Sequence, residues 1–108
     1  MFKNMSGLMQ KAQQMQEKMA NVQKEVEGMT FTGTAGDGAV KVDILGNNKV
    51  QAISVDDSLI NVEEKDLMLD LITVSINQAI DAAKKCNDDK ISEITKGVPM
   101  PGNMKLPL

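Results

Sequence analysis

Apolar positions between Met5 and Met29 recur with unusual regularity. Met5, Leu8, Ala12, Met15, Met19, Val22, Val26 and Met29 alternate spacings of three and four residues. That is a heptad seam of period 3.5, which a helix uses when it pairs along its length. The spacing predicts a long helix over residues 5–28, roughly 36 Å at 1.5 Å per residue. Ser6 is positioned to cap its start and Gly28 to end it.

After Met29 the period drops to two. Met29, Phe31 and Gly33 alternate with three threonines, and Val40, Val42 and Ile44 alternate with Lys41 and Asp43. The third β-prone run, "KVQAISV", covers residues 49–55, with "AGDG" and "GNN" separating the three runs. Gly and Asn tolerate positive φ, so both separators are hairpin chemistry, and residues 29–55 read as a three-stranded antiparallel meander. "GTAGDG" feeds a strand at Val40 and not a helix start, which argues against a phosphate loop.

Residues 62–96 return to helical spacing. Asn61 and Glu64 stand at N-cap and N3 separation, and Glu63, Glu64 and Asp66 suit the positive end of a helix. Leu67, Met68, Leu71, Ile72, Val74, Ile76, Ala79 and Ala83 form a face wide enough for the sheet and a partner chain together. "NDDK" at 87–90 is a weak point, so one helix or two are expected. Residues 97–108 hold all three prolines and read as a strap or a disordered end. The expectation is a single α+β domain over residues 1–108: long N-terminal helix, meander, and C-terminal helix or helices in two layers.

Composition narrows the chemistry. The 108 residues include no histidine, tyrosine or tryptophan and only one cysteine, Cys86. No base, oxyanion hole or metal-ligand set can be assembled from these residue types, so no catalytic site, metal or cofactor is expected. A lone cysteine, no run of ~18 apolar residues and no signal-peptide layout point to the cytoplasm, without membrane attachment. A chain this short with a long apolar stripe commonly completes its burial by dimerising.

Net charge is −3, yet it is unevenly spread. Residues 1–28 carry four lysines against three glutamates, residues 29–76 three lysines against eight acids, and residues 77–108 five lysines against four acids. Local field decides where a polyanion can sit, and the two ends are mildly basic. At 100° per residue Lys11 and Lys18 share a stripe beside the seam, near Gln10, Gln14, Glu17 and Asn21. Lysine meets phosphate as a point charge, and glutamine can bond phosphates or base edges. A solvated helix face carries the same pattern, so pattern alone leaves both readings open.

The blocks "LMQKAQQMQEKM", "GDGAVKVDILGNNKV", "VDDSLI" and "DLITVSINQAIDAAKK", followed by the tail "GVPMPGNMKLPL", occur in an order that resembles the YbaB/EbfC family of bacterial nucleoid-associated proteins over nearly the whole chain. The resemblance implies a non-enzymatic protein of the cytoplasm and nucleoid that binds double-stranded DNA and takes no small-molecule substrate. It implies a tight homodimer whose projecting helices grip the duplex like tweezers. Carried over, Lys11, Gln14 and Lys18 become candidate DNA contacts, with Lys84, Lys85, Lys90 and Lys96 on the facing arm. Met15, Met19, Val22, Val40, Val42, Ile44, Leu71 and Ile72 would form the core and dimer. Family members often carry arginine in the second-helix block, where this chain has Lys84 and Lys85. The alternative is a protein-interaction module whose methionine seam receives a partner helix, with DNA binding incidental.

Overall fold

The computed structural model describes the backbone of residues 2–96 and the side chains of residues 7–96. Helix α1 (Phe2–Glu27) leads into strands β1 (Thr30–Ala35), β2 (Val40–Leu45) and β3 (Val50–Val55). A 3-10 turn (Asp57–Leu59) and helix α2 (Lys65–Thr95) follow. The tail expected at 97–108 lies outside the described residues.

The meander forms as the alternation predicts, in the order β1-β2-β3 with both pairings antiparallel. Gly36, Asp37 and Gly38 turn the first hairpin with φ of 64°, 55° and 89°. Asn48 supplies the positive φ of the second, at 68°. Register places Phe31, Gly33 and Ala35 beside Ile44, Val42 and Val40, and continues to Val50, Ile53 and Val55. Paired residues share a face, so one side of the sheet is apolar across all three strands. The other side carries Thr30, Thr32, Thr34, Lys41, Asp43 and Ser54, and there Thr32 Oγ1 donates to Asp43 at 2.6 Å. Water takes that side.

Helix α2 lies on the apolar side, chiefly over β1 and β2. Val40, Val42, Ile44, Leu59 and Ala79 form the buried cluster, with Phe31, Met68, Leu71, Ile72 and Ile76 packed around it. Contact with β1 is close because Gly33 has no side chain. A Cβ there would overlap the Ser75 carbonyl oxygen and stand 3.0 Å from the Ala79 nitrogen. Ser75 is fully buried, and its hydroxyl finds no partner among the described residues. Gln78 Oε1 accepts the Thr34 amide at 2.7 Å, occupying the outer edge of β1. At the other end Gly46 receives the end of α1, since a Cβ there would overlap the Val26 carbonyl oxygen.

Two expectations need correction, and one left open is decided. Helix α1 begins at Phe2, so Ser6 and Gly7 lie inside it and Ser6 is not its cap. One glycine costs a helix only about 1 kcal/mol, which the surrounding Met, Lys and Gln run absorbs. The C-terminal helix starts at Lys65, a turn later than expected, although Asn61 Oδ1 does accept the Glu64 amide at 2.9 Å. It then runs unbroken through Asn87–Lys90. There Lys85 pairs with Asp89 one turn on, and Lys90 pairs with Glu25 of α1, so local and tertiary contacts override weak propensity.

"DDSLI" also has a structural explanation. The Asp56 carboxylate accepts both the Ser58 hydroxyl and the Ser58 amide, which holds its pKa below the ordinary aspartate value, and Leu59 drops into the core.

The seam of α1 is covered only in part. Val26 is buried and Met15, Met19 and Val22 are half-buried, but Ala12 and Leu8 are exposed. Extents are 73 × 25 × 17 Å and the radius of gyration is 20.0 Å. A compact domain of this length would have a radius near 13 Å. The protomer is a small α+β body with a projecting helical arm.

Substituting Gly33→Ala should lower unfolding free energy by about 3 kcal/mol, the upper end of overpacking costs. Urea unfolding at fixed protein concentration checks this, and an unchanged midpoint would mean α2 does not approach β1 this closely.

Candidate nucleic-acid interface

Beyond the sheet, α1 and α2 run antiparallel. Val26 and Glu27 stand beside Ala83 and Lys84, Val22 beside Lys90, and Lys11 to Lys18 beside Ile94. The seam explains this order: half-buried Met15, Met19 and Val22 supply the α1 side, and Ile91 and Ile94 continue the apolar face of α2. Helix α2 ends at Thr95, so the first turns of α1 extend past it.

A furrow runs along one side of this pair. Leu8, Lys11, Ala12, Gln14, Met15, Lys18 and Ile94 line a hollow of about 320 Å³. Lys18 and Ile94 are shared with a wider cleft of about 500 Å³, lined also by Val22, Lys90, Glu93 and Lys96. Five expected site residues therefore come together: Lys11, Gln14 and Lys18 from α1, Lys90 from α2, and Lys96 just after it. Lys11 and Lys18 are exposed and make no ion pair among the described residues.

The other two lie elsewhere. Lys84 lines a separate notch that shares no residue with the furrow. Lys85 is exposed and paired with Asp89 at 2.9 Å. Six residues turn a helix by about 240°, which is why Lys84 and Lys90 cannot serve one face.

Two acids within the site escaped the sequence reading. Glu93 lines the cleft, and Glu25 accepts a hydrogen bond from Lys90 at 3.1 Å across the helix pair. No local signal marks a contact between residues so far apart in sequence; it follows only from the antiparallel register. The bond to Glu25, followed by the attraction of its charge, raises the Lys90 pKa above 10.5. Lys85 is raised likewise by its bond to Asp89.

No group of three or more His, Cys, Asp or Glu residues is placed to hold a metal among the described residues. Cys86 is a free, half-buried thiol. No described helix is long and apolar enough to cross a membrane.

A small sheet thus bears an antiparallel helix pair with lysine and glutamine along one side, residue types that can meet phosphate and base edges. Residues 1–98 match the YbaB/EbfC DNA-binding family, and the chain belongs to that family. Among solved structures, it is similar to the crystal structure of the uncharacterized protein HP0035 from Helicobacter pylori. The TM-score is 0.59 at 20% identity, over 72% of this chain and 90% of that one, a likeness of fold.

Because the folded pKa of Lys90 lies above its ordinary value, the Glu25 tie stabilises the helix pair fully below about pH 10.5 and fades as pH climbs through the raised value. In Glu25→Gln the Lys90 titration should fall back toward 10.5, read from its side-chain carbon shifts. An unmoved titration would show that the tie does not form in solution.

Proposed function

We propose that this chain acts without enzymatic activity as a homodimer that holds double-stranded DNA through lysine–phosphate contacts, serving nucleoid organisation or gene regulation in the cytoplasm. The observation that carries the reading is the furrow. It gathers Lys11, Gln14, Lys18, Lys90 and Lys96 on one side of the arm in a member of a DNA-binding family. All twelve cations of the chain are lysines. Without arginine there is no bidentate guanine fork, so binding is weakly sequence-selective. Lys84 and Lys85 are secondary contacts on this reading, since neither lines the furrow.

Support for the dimer comes from the apolar face. Strand β3 carries Val50 and Ile53 at 48% and 49% exposure, on the side where β1 and β2 are covered by α2. Ile60, Val62, Leu67 and Val74 add further exposed apolar side chains, all outside the seven-residue buried core. Among the described residues the outer edge of β3 has no strand partner. A second copy would cover this surface and bring two arms to one duplex. The core residues Val40, Val42, Ile44, Leu71 and Ile72 would then be shared structural support behind the interface.

Leu8 and Met9, each 66% exposed, favour a second reading in which the uncovered seam receives a partner helix and DNA binding is incidental. Salt dependence separates the two. With Lys90 tied to Glu25 and Lys11 and Lys18 of each copy dominating, four lysines should give log K against log salt a slope near −3.6. The double substitution Lys11→Glu, Lys18→Glu should abolish the DNA mobility shift while light scattering still reports a dimer. A wild-type dimer that binds no DNA at low salt would overturn the DNA reading in favour of the second.

The dimer has its own test. Ile53→Lys places a charge in the exposed row and should halve the mass measured by light scattering, with helix and strand circular dichroism retained. A mass unchanged at micromolar concentration would remove β3 from the interface.

A further inference from the structure

The hollow at the outer end of the furrow has an apolar floor that α2 does not cover. Leu8 is 66% exposed and Ala12 is exposed, and with Met15 and Ile94 they lie among Lys11, Gln14 and Lys18. Ile94 is the last apolar residue of α2, which stops one residue later at Thr95. Because the two helices are antiparallel, the chain leaving α2 heads along α1 toward Leu8. It leaves in extended form, since Lys96 has φ −64° and ψ 129°. The next residues are Gly97, Val98, Pro99, Met100 and Pro101. A residue before proline is pushed out of the helical region into extended backbone, and each proline fixes its own φ. Two such pairs in succession favour a straight run, in which Val98 and Met100 share one side.

We propose that residues 97–101 lie as a strap on the seam of their own α1, with Val98 and Met100 seated against Leu8 and Ala12. The lengths agree. Leu8 lies seven residues before Met15, about 10 Å along α1 at 1.5 Å per residue. Met100 lies four residues beyond Lys96, about 12 Å at about 3.1 Å per extended residue. Two side chains make a weak contact, but the tether to α2 supplies an effective concentration in the millimolar range, which no separate chain has. Proline also brings no N–H to leave unpaired on an apolar floor. Charge favours the strap over a second copy seated by the same face, which would bring its Lys11 and Lys18 against these. Residues 97–101 carry no charge, so the strap covers the floor and leaves the lysines around it open to phosphate.

Methyl groups report the contact directly in carbon–proton spectra of the full chain without DNA. The methyls of Leu8 and Ile94 should show nuclear Overhauser contacts to those of Val98 and Met100. The double substitution Val98→Asp, Met100→Asp places charge on the seated side, outside the core. It should abolish these contacts and shift the Leu8 and Ile94 methyls, while the buried Val42 and Ile44 methyls stay where they are. Samples mixed from labelled and unlabelled chains separate contacts within a chain from contacts between chains. The proposal is overturned if Leu8 and Ile94 show no contact to residues 97–101, or contact Met104 or Leu106 instead. It also fails if the double variant leaves the Leu8 methyls unmoved, or if the contacts pass from one chain to another, which would make a second copy the occupant. No DNA is present in any arm, so these outcomes are independent of DNA binding.

Discussion

The sheet is apolar on one face across three strands, and α2 covers only two of them. Most of the molecule follows from that mismatch. Gly33 fixes the helix over β1 by letting the Ser75 turn approach within backbone distance, and Gln78 ties off the outer edge of that strand. A helix held there cannot also reach β3, so Val50 and Ile53 stay half-exposed. Little apolar surface is buried for a chain of this length, so its hydrophobic stabilisation is small. The same placement sends the C-terminal half of α2 past the sheet, where it can only pack on α1. The arm and the open face are thus two results of one helix position.

Lysine chemistry then gives the arm a particular character. Its cations are flexible point charges on a helix pair that also carries Glu25 and Glu93. Such an array attracts a phosphate backbone without fixing its register. On the proposed reading, specificity would come from DNA deformability or from the base edges that Gln14 can bond.

Much of the fold was legible because its devices are local. Period-two alternation found β1 and β2 and β-propensity found β3, each to within a residue, and the Gly and Asn separators became the positive-φ turns. The stripe of Lys11 and Lys18 needed only helical arithmetic. What stayed hidden depends on residues distant in sequence. Asn87–Lys90 leaves one helix or two open until Glu25 is known to hold Lys90. The seam reads as a full-length pairing until α2 is seen to stop at Thr95.

The uneven covering of α1 has a mechanical side. The helix is anchored at its C-terminal end, where Val26 sits against Gly46 and Glu25 holds Lys90, while its opposite end runs free of α2. The part that projects past Ile94, residues 2–10, is about 14 Å long at 1.5 Å per residue. A rotation of about 5° where it leaves the pair displaces its tip by about 1 Å. The reach of that tip is therefore governed by how the half-buried Met15 and Met19 pack behind it.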